Sequence, residues 1–411
     1  MRYVLIGKSN AVLSAAKAIR GRDAGAEIIL LSVQKDQAEL TPLVSAMIGK
    51  KRGRIGRGDN PITKYNIHVE DAQATGVHAS TREVTLSSGK RMDYDELLID
   101  VGRTSVLPDI SGIKGTDIVL LGSLEDARNV TTAALGRNNA VVLGGGFTGL
   151  TAAIALKHQG LRVTVIEKLG RILCGKLDAR GSAIVSGLLQ GAGIDLITNQ
   201  RYYEIAHFTG SVRAVRLASG RIVDADMIVA AVGARPNTEV FQDAGIEMKH
   251  GIVVREDLRT SVPHVYAAGN AVELRDADIC MCSSSVSQAD AEEMGRVAGL
   301  NMTGAGIRYR GFHAPANSVE LLSTSITTIG MVDPTTSEYE VTAEEKEGSY
   351  RKLVFKNDTL VGALFIGSTE ETGVYAYLIK NRIPLGKLKE PVARGQLKNF
   401  NFATSVSNVA M

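Results

Sequence analysis

The chain contains no tryptophan, and aromatic residues make up only 5% of it. So thin a supply argues against a nucleic-acid surface built on base stacking. Its three cysteines, Cys174, Cys280 and Cys282, are too few and odd in number for a disulfide scaffold, and they fit a reducing compartment. No apolar run is long enough to span a bilayer, and the N-terminus enters a strand-like segment at once, with no signal-peptide pattern. A cytoplasmic protein without a membrane span is the expectation. Neither sign of charge dominates, the net being +3, so no strongly charged partner is implied. At 411 residues the chain is too long for one core, and two or three domains are predicted.

What the chain has in plenty is glycine, and its placement is informative. Within Asn139–Lys168, Val141 to Leu143 read as a buried strand, and Gly144, Gly146 and Gly149 spell G-x-G-x-x-G. Phe147, Leu150, Ala153 and Ile154 then recur at helical spacing, and Arg162 to Ile166 form a second strand that ends at Glu167. Gly144 permits the tight turn, Gly146 lets the backbone approach a pyrophosphate, and Gly149 lets helix and strand pack closely. The phosphates sit on the helix N-terminal amides, where Phe147 and Thr148 lie. Glu167 is placed to accept a hydrogen bond from a ribose 2′-hydroxyl and would repel a 2′-phosphate, which favours NAD(H) over NADP(H).

The chain opens with a second, weaker version of the same unit. Arg2 to Ile6, Asn10 to Arg20 and Glu27 to Ser32 read as strand, helix and strand, but the turn is Gly7-Lys8-Ser9-Asn10-Ala11-Val12, which keeps only the first glycine. Val12 in the third position is expected to widen the helix–strand contact. A half that holds no nucleotide is the competing reading for this unit. Lys50, Lys51, Arg52, Arg54 and Arg57 form a basic loop, read either as a solvated charge run or as a docking patch for an acidic electron carrier.

Further on, Glu83 to Leu86 and Leu97 to Asp100 read as strands, Gly102 follows, and Pro108 to Gly115 is a linker. Arg213 to Ala218 and Arg221 to Asp224 form a hairpin, Met227 to Val232 a buried strand ending at Gly233, and Ser284 to Asn301 a helix. From Tyr309 the texture changes to strands at Ser325 to Met331, Tyr350 to Lys356 and Leu360 to Ile366, then a helix at Glu370 to Lys380. The tail from Pro391 reads as peripheral.

These pieces, in this order, resemble the two-dinucleotide flavoproteins of the pyridine nucleotide-disulfide oxidoreductase superfamily, on the branch with NADH oxidases and rubredoxin, ferredoxin and nitrite reductases. The residues that carry the resemblance are the first strand–helix–strand, LLIDVG, SLEDA at Ser123 to Ala127, the glycine unit, AVGARPN at Ala231 to Asn237 and VYAAGNAVE at Val265 to Glu273. The resemblance implies an α/β fold with two dinucleotide-binding domains of the three-layer type and a C-terminal α+β interface domain that makes a homodimer. The implied boundaries are 1–112 and 238–306 for an FAD domain, 113–237 for the NAD(H) domain and 307–411 for the interface domain. It also implies hydride transfer from NADH to FAD, and onward to oxygen or a small redox protein. The positions matching the family's FAD contacts are Gly7, Ser9, Asn10, Ala11, Gln34, Pro42, Gly102, Gly269 and Asn270.

Several family contacts are changed. Gln34 replaces a ribose-binding acid, Thr41 and Gly122 replace arginines, and Asn270 replaces an aspartate. Ala46 and Thr151 stand where the family pairs a lysine and a glutamate beside the flavin and nicotinamide rings, so a charged pair is lost together. No cysteine lies near Thr41-Pro42, which argues against disulfide-based catalysis. The alternative reading is a relative that binds NADH, has weakened or lost FAD, and plays a regulatory or structural part. Cys280 and Cys282 read as small buried residues or as a thiol pair, Cys174 as structural and His158 as a polar helix-end residue, and no metal site is expected.

Overall fold

The computed structural model describes residues 1–31, 60–113, 118–208, 211–274, 286–311, 314–368 and 370–396. Gln34, Thr41, Pro42, Ala46, the basic loop and the Cys280–Cys282 pair lie outside them. Contacts divide the chain into two compact units. The first joins Met1–Gly170 with Ala192–Tyr309, and the second joins Arg171–Gly191 with the chain from Arg310 onward.

In the first unit β1 (Arg2–Ile6), α1 (Asn10–Arg22) and β2 (Glu27–Leu31) make the opening strand–helix–strand. After the short helix α2 (Pro61–Lys64), β3 (His68–Glu70) joins the sheet edge. An antiparallel meander of β4 (Ala74–His78), β5 (Glu83–Leu86) and β6 (Arg91–Asp93) precedes β7 (Glu96–Ile99), which lies beside β1. Strand β8 (Arg103–Ser105) leads into a second half of β9 (Ile118–Leu120), α3 (Leu124–Ala133), β10 (Asn139–Leu143), α4 (Phe147–His158) and β11 (Arg162–Ile166). Helix α5 (Ala179–Gly191) belongs to the second unit. The chain then returns for β12 (Ile194–Ile197), a meander of β13 (Tyr202–Phe208), β14 (Ser211–Leu217) and β15 (Ile222–Asp224), and β16 (Met227–Ala230). Strand β17 (Ala234–Pro236) leads out to β18 (Ile252–Val254), β19 (Val265–Ala267), β20 (Val272–Leu274) and α6 (Gln288–Met302).

Two five-stranded parallel sheets result, ordered β19-β7-β1-β2-β3 and β12-β11-β10-β16-β9. Their central strands read YVLI, ELLI, NAVVL and MIVA because a parallel sheet is covered on both faces. Side chains alternate along β10. Val141 and Leu143 enter one cluster with Ile205, Val215, Leu217 and Val223 of the β13–β15 meander, while Ala140 and Val142 are buried on the opposite face. The expected α/β class with two dinucleotide-type halves is what the chain adopts.

The crossings between the halves are paired. β8 runs antiparallel to β17, with Thr104 opposite Arg235. Asn237 ties both crossings, donating from Nδ2 to the Val101 carbonyl at 3.1 Å and accepting at Oδ1 from the Thr104 hydroxyl at 2.6 Å. Helices α1 and α6 meet backbone to backbone. An ideal Cβ on Gly295 would lie 1.9 Å from the Ala11 carbonyl oxygen, and one on Gly299 would lie 2.5 Å from that of Ala15.

In the second unit β21 (Ala316–Leu321), β22 (Thr324–Gly330), β23 (Tyr339–Lys346), β24 (Ser349–Lys356) and β25 (Thr359–Ile366) form an antiparallel sheet ordered β21-β22-β25-β24-β23. Helices α7 (Thr372–Asn381) and α8 (Lys389–Ala393) complete its core. Two expectations are corrected here. Cys174, expected to be structural, is exposed on the turn before α5. The chain just beyond Pro391 is not peripheral, since Val392 packs with Leu353, Phe355 and Leu378. The Asp178 carboxylate accepts from the Gly181 amide at 2.9 Å and the Tyr350 hydroxyl at 2.7 Å, and pairs with the Lys352 ammonium at 3.1 Å. Burial alone would raise this carboxyl, and those three partners together hold it below its ordinary value.

Replacing glycine by alanine inside a helix ordinarily stabilises by about 1 kcal/mol. At Gly187 of α5, where an added Cβ meets nothing within 4 Å, that gain is expected in full. At Gly295 overpacking of about 1–3 kcal/mol outweighs it. Denaturant midpoints of Gly187→Ala and Gly295→Ala are therefore expected to move in opposite directions, and a shared direction would contradict the packing described.

Candidate functional site

The two turns that end β1 and β10 share one backbone frame. Gly7 donates its amide to the Leu31 carbonyl and Gly144 donates to that of Ile166, each at 2.9 Å. Both glycines have positive φ, +113° and +107°, because the carbonyl of the next strand end closes on them. An ideal Cβ on Gly7 would lie 2.0 Å from the Asp100 oxygen, and one on Gly144 would lie 2.4 Å from that of Ala231. Only glycine fits either turn.

In the second half the turn is open. Gly146 caps α4 with no side-chain bond to its first amides, and nothing lies within 4 Å of where its Cβ would be. The N-terminal donors at Phe147, Thr148 and Gly149 are thus presented as an anion site. Gly149 holds the helix down, since a Cβ there would sit 2.0 Å from the Gly144 carbonyl oxygen. The Glu167 carboxylate stands beside this turn, accepting from the Gly145 amide at 2.7 Å and the Leu169 amide at 2.8 Å. A carboxylate has capacity for a further donor, so the ribose-binding geometry is available. Gly233 follows β16 at φ +122° in open space. Thr151 is 2% exposed, and its Oγ1 is buried with no hydrogen-bond partner among the described residues. His158 is exposed at the end of α4.

The first half is filled differently. The Ser9 hydroxyl caps α1, accepting from the amides of Ala11 at 3.1 Å and Val12 at 3.2 Å, and donates in turn to Asp100 Oδ2. Asp100 is 5% exposed, and burial pushes its carboxyl up to about 6 against the opposing Ser9 and Gly102 hydrogen bonds. Gly269, at φ +75°, lies so close that a Cβ would stand 2.5 Å from the Asp100 carboxylate. Asn270 accepts at Oδ1 from the Val286 amide at 2.6 Å. Gly7, Ser9, Asn10, Ala11, Gly102 and Gly269 are thus brought together at the strand ends. Asp100, in sequence the last residue of a strand, sits among them.

Two flanking motifs acquire local explanations. SLEDA is a capping box in which Asp126 accepts from the Ser123 amide at 2.9 Å and Ser123 accepts from the Asp126 amide at 3.0 Å. A Cβ on Gly122 would lie 2.2 Å from Ser105 Oγ, so any side chain here requires that hydroxyl to turn away. Among the described residues no group of ligands is placed to hold a metal ion, and no helix is long and apolar enough to cross a membrane.

The family model "Pyridine nucleotide-disulphide oxidoreductase" matches residues 1–291, and "Rubredoxin NAD+ reductase C-terminal domain" matches residues 315–383. The chain is 27% identical over 398 residues to the NADH-dependent phenylglyoxylate dehydrogenase subunit epsilon of Aromatoleum evansii, covering 94% of this chain and 93% of that one. It is 28% identical over 325 residues to an NADH oxidase of Methanocaldococcus jannaschii, covering 75% and 71%. The crystal structure of a ferredoxin reductase from Rhodopseudomonas palustris superposes with a TM-score of 0.81 at 21% identity, over 95% of this chain and 99% of that one, and so shares the fold.

An aspartate whose folded value is raised costs stability above that value. The cost is absent where the group is protonated in both states and is complete once the pH passes the folded value. From 3.8 to about 6, it amounts to roughly 1–3 kcal/mol. Asp100→Asn is therefore expected to be more stable than the parent at pH 7.5 and to lose most of that advantage near pH 4, as read by chemical denaturation at both pH values.

Proposed function

Because this chain belongs to the pyridine nucleotide-disulphide oxidoreductase family and is an oxidoreductase enzyme, we propose that it oxidises NADH with FAD as cofactor and delivers the electrons to a small redox protein or to oxygen. The observation that carries this reading is the open turn at Gly144, Gly146 and Gly149 beside an anchored Glu167. FAD, where bound, accepts hydride from NADH and passes the electrons on.

The chain's own residues divide the work. Gly144 and Gly149 fix the turn, the amides of Phe147, Thr148 and Gly149 hold the NADH diphosphate, and Glu167 accepts from its ribose and selects against a 2′-phosphate. Gly233, with no side chain, leaves room for the nicotinamide half, and Thr151 adds no charge there. In the first half Gly7, Asn10, Ala11, Gly102, Gly269 and Asn270 form the backbone frame of an FAD diphosphate and ribityl chain. That frame fits the group, and among the described residues the buried Asp100 carboxyl opposes it. Gln34 and Pro42 complete the set from outside the described residues. Residues 307–411 would supply the homodimer interface, and the cytoplasm is the compartment proposed.

Two measurements test this. Anaerobic NADH is expected to bleach the visible flavin absorbance of FAD-loaded protein, and protein that takes up no FAD under any condition would refute the reading. Glu167→Ala removes a charged acceptor worth about 1.5–3 kcal/mol, so the KM for NADH is expected to rise about tenfold or more while discrimination against NADPH falls. An unchanged NADH to NADPH ratio would remove Glu167 from this role.

A further inference from the structure

The two halves of the first unit correspond residue by residue at the strand ends, and one position breaks the match. Asp100 donates its amide to the Ile6 carbonyl at 3.0 Å, just as Ala231 donates to that of Leu143 at 2.9 Å. Asp100-Val101-Gly102 is therefore the counterpart of Ala231-Val232-Gly233. In the second half the side chain here is a methyl, resting 3.4 Å from where a Cβ of Gly149 would stand. In the first half it is a buried carboxyl group that reaches Ser9 on the helix turn and lies against Gly269 at the end of β19.

We propose that Asp100 sets the affinity of the first cradle for a dinucleotide diphosphate, admitting it with the carboxyl neutral and opposing it with the carboxyl charged. The proposal rests on reading this half as the FAD half. Three observations support it. Ser9, which caps the very amides that face an incoming phosphate, is itself engaged by Asp100, so the carboxylate stands as an internal anion at the positive end of α1. Gly269, at positive φ, leaves no gap into which the carboxylate could withdraw on that side.

The third observation is that, among the described residues, no cation offsets the charge. Asp100 is acted on by burial, the Ser9 hydroxyl and the Gly102 amide. On the elements around it, Lys8 and Lys17 are exposed, Arg103 donates from Nη2 to the Ala234 carbonyl, and Glu273 accepts from the His250 amide. Asp290 on α6 accepts from Ser287 and Tyr309. Two negative groups in so dry a site repel strongly. With the carboxyl lifted to about 6, its charge changes within the range in which proteins ordinarily work.

The test is FAD affinity of the full chain, read by flavin fluorescence between about pH 5.5 and 8.5, for the parent, Asp100→Asn and Asp100→Ala, with NADH binding as the check that each variant folds. The alanine variant places at this strand end the residue that the second half has there, Ala231. Uptake of one proton with the cofactor predicts that the parent's Kd rises about tenfold per pH unit above the carboxyl's value. Both variants should bind with a flat profile and at least about tenfold tighter at the upper end. A parent that binds FAD with a flat profile, matched by Asp100→Asn, would overturn the role of Asp100 and leave the flavin reading intact. Failure of all three proteins to bind FAD at any pH while NADH still binds would overturn both. Should a variant not fold, the slope of the parent alone decides the matter.

Discussion

A glycine at positive φ, pressed against the carbonyl that ends the neighbouring strand, is the contact on which both dinucleotide-type halves depend. It occurs as Gly7 on Asp100 and as Gly144 on Ala231. The approach is closer than any side chain allows, and it turns the chain sharply enough for the next helix to start over the strand ends. The amides of that helix's first turn then have no partner within the helix, so something else must meet them. In the second half the cap residue, Gly146, offers them no side-chain acceptor. In the first, Ser9 takes two of them and passes the demand on to Asp100. One frame thus yields two chemically different cradles, through Ser9 in place of Gly146 on the helix turn and Asp100 in place of Ala231 at the strand end.

Much of this was legible in the sequence, for reasons that are local. The G-x-G-x-x-G turn, its helix and Glu167 lie in one continuous stretch, and every interaction that defines them spans few residues. The motifs AVGARPN and SLEDA were recognisable as patterns, but their physical basis needed the fold: Asn237 holds two crossings together, and Asp126 caps a helix. Asp100 was present in LLIDVG and passed over, because a polar residue ending a strand is ordinary until Gly269 arrives from a distant part of the chain to bury it. The signal available was the comparison of DVG with AVG within the same chain. Asp178 and Lys352 were invisible for the same reason, being brought together only by the contacts of the second unit.

The charge pattern of the site follows a consistent rule. Where the family places a charged pair at the rings, this chain has Thr151 and Ala46, and Thr151 Oγ1 is left as a neutral, buried and unfilled polar atom. A neutral pair strands no charge, whereas a lone surviving partner would cost about 3–5 kcal/mol. Asp100 differs: among the described residues no cation stands against this buried acid, and burial raises its carboxyl.

The edge position of β19 has a consequence for how the chain comes into being. β19 pairs with β7, and α6 lies on α1 through Gly295 and Gly299, so the opening strands wait for residues near the far end of the first unit. The intervening second half closes its own sheet from residues 118–230 and has no such wait. During synthesis residues 118–230 are all available to close their sheet before β19 and α6 emerge, whereas the opening sheet then still lacks that strand and the helix that packs on α1. Gly269, which lies against Asp100, is among the residues of the first unit made late, so the surroundings of this carboxyl are assembled from both ends of the unit.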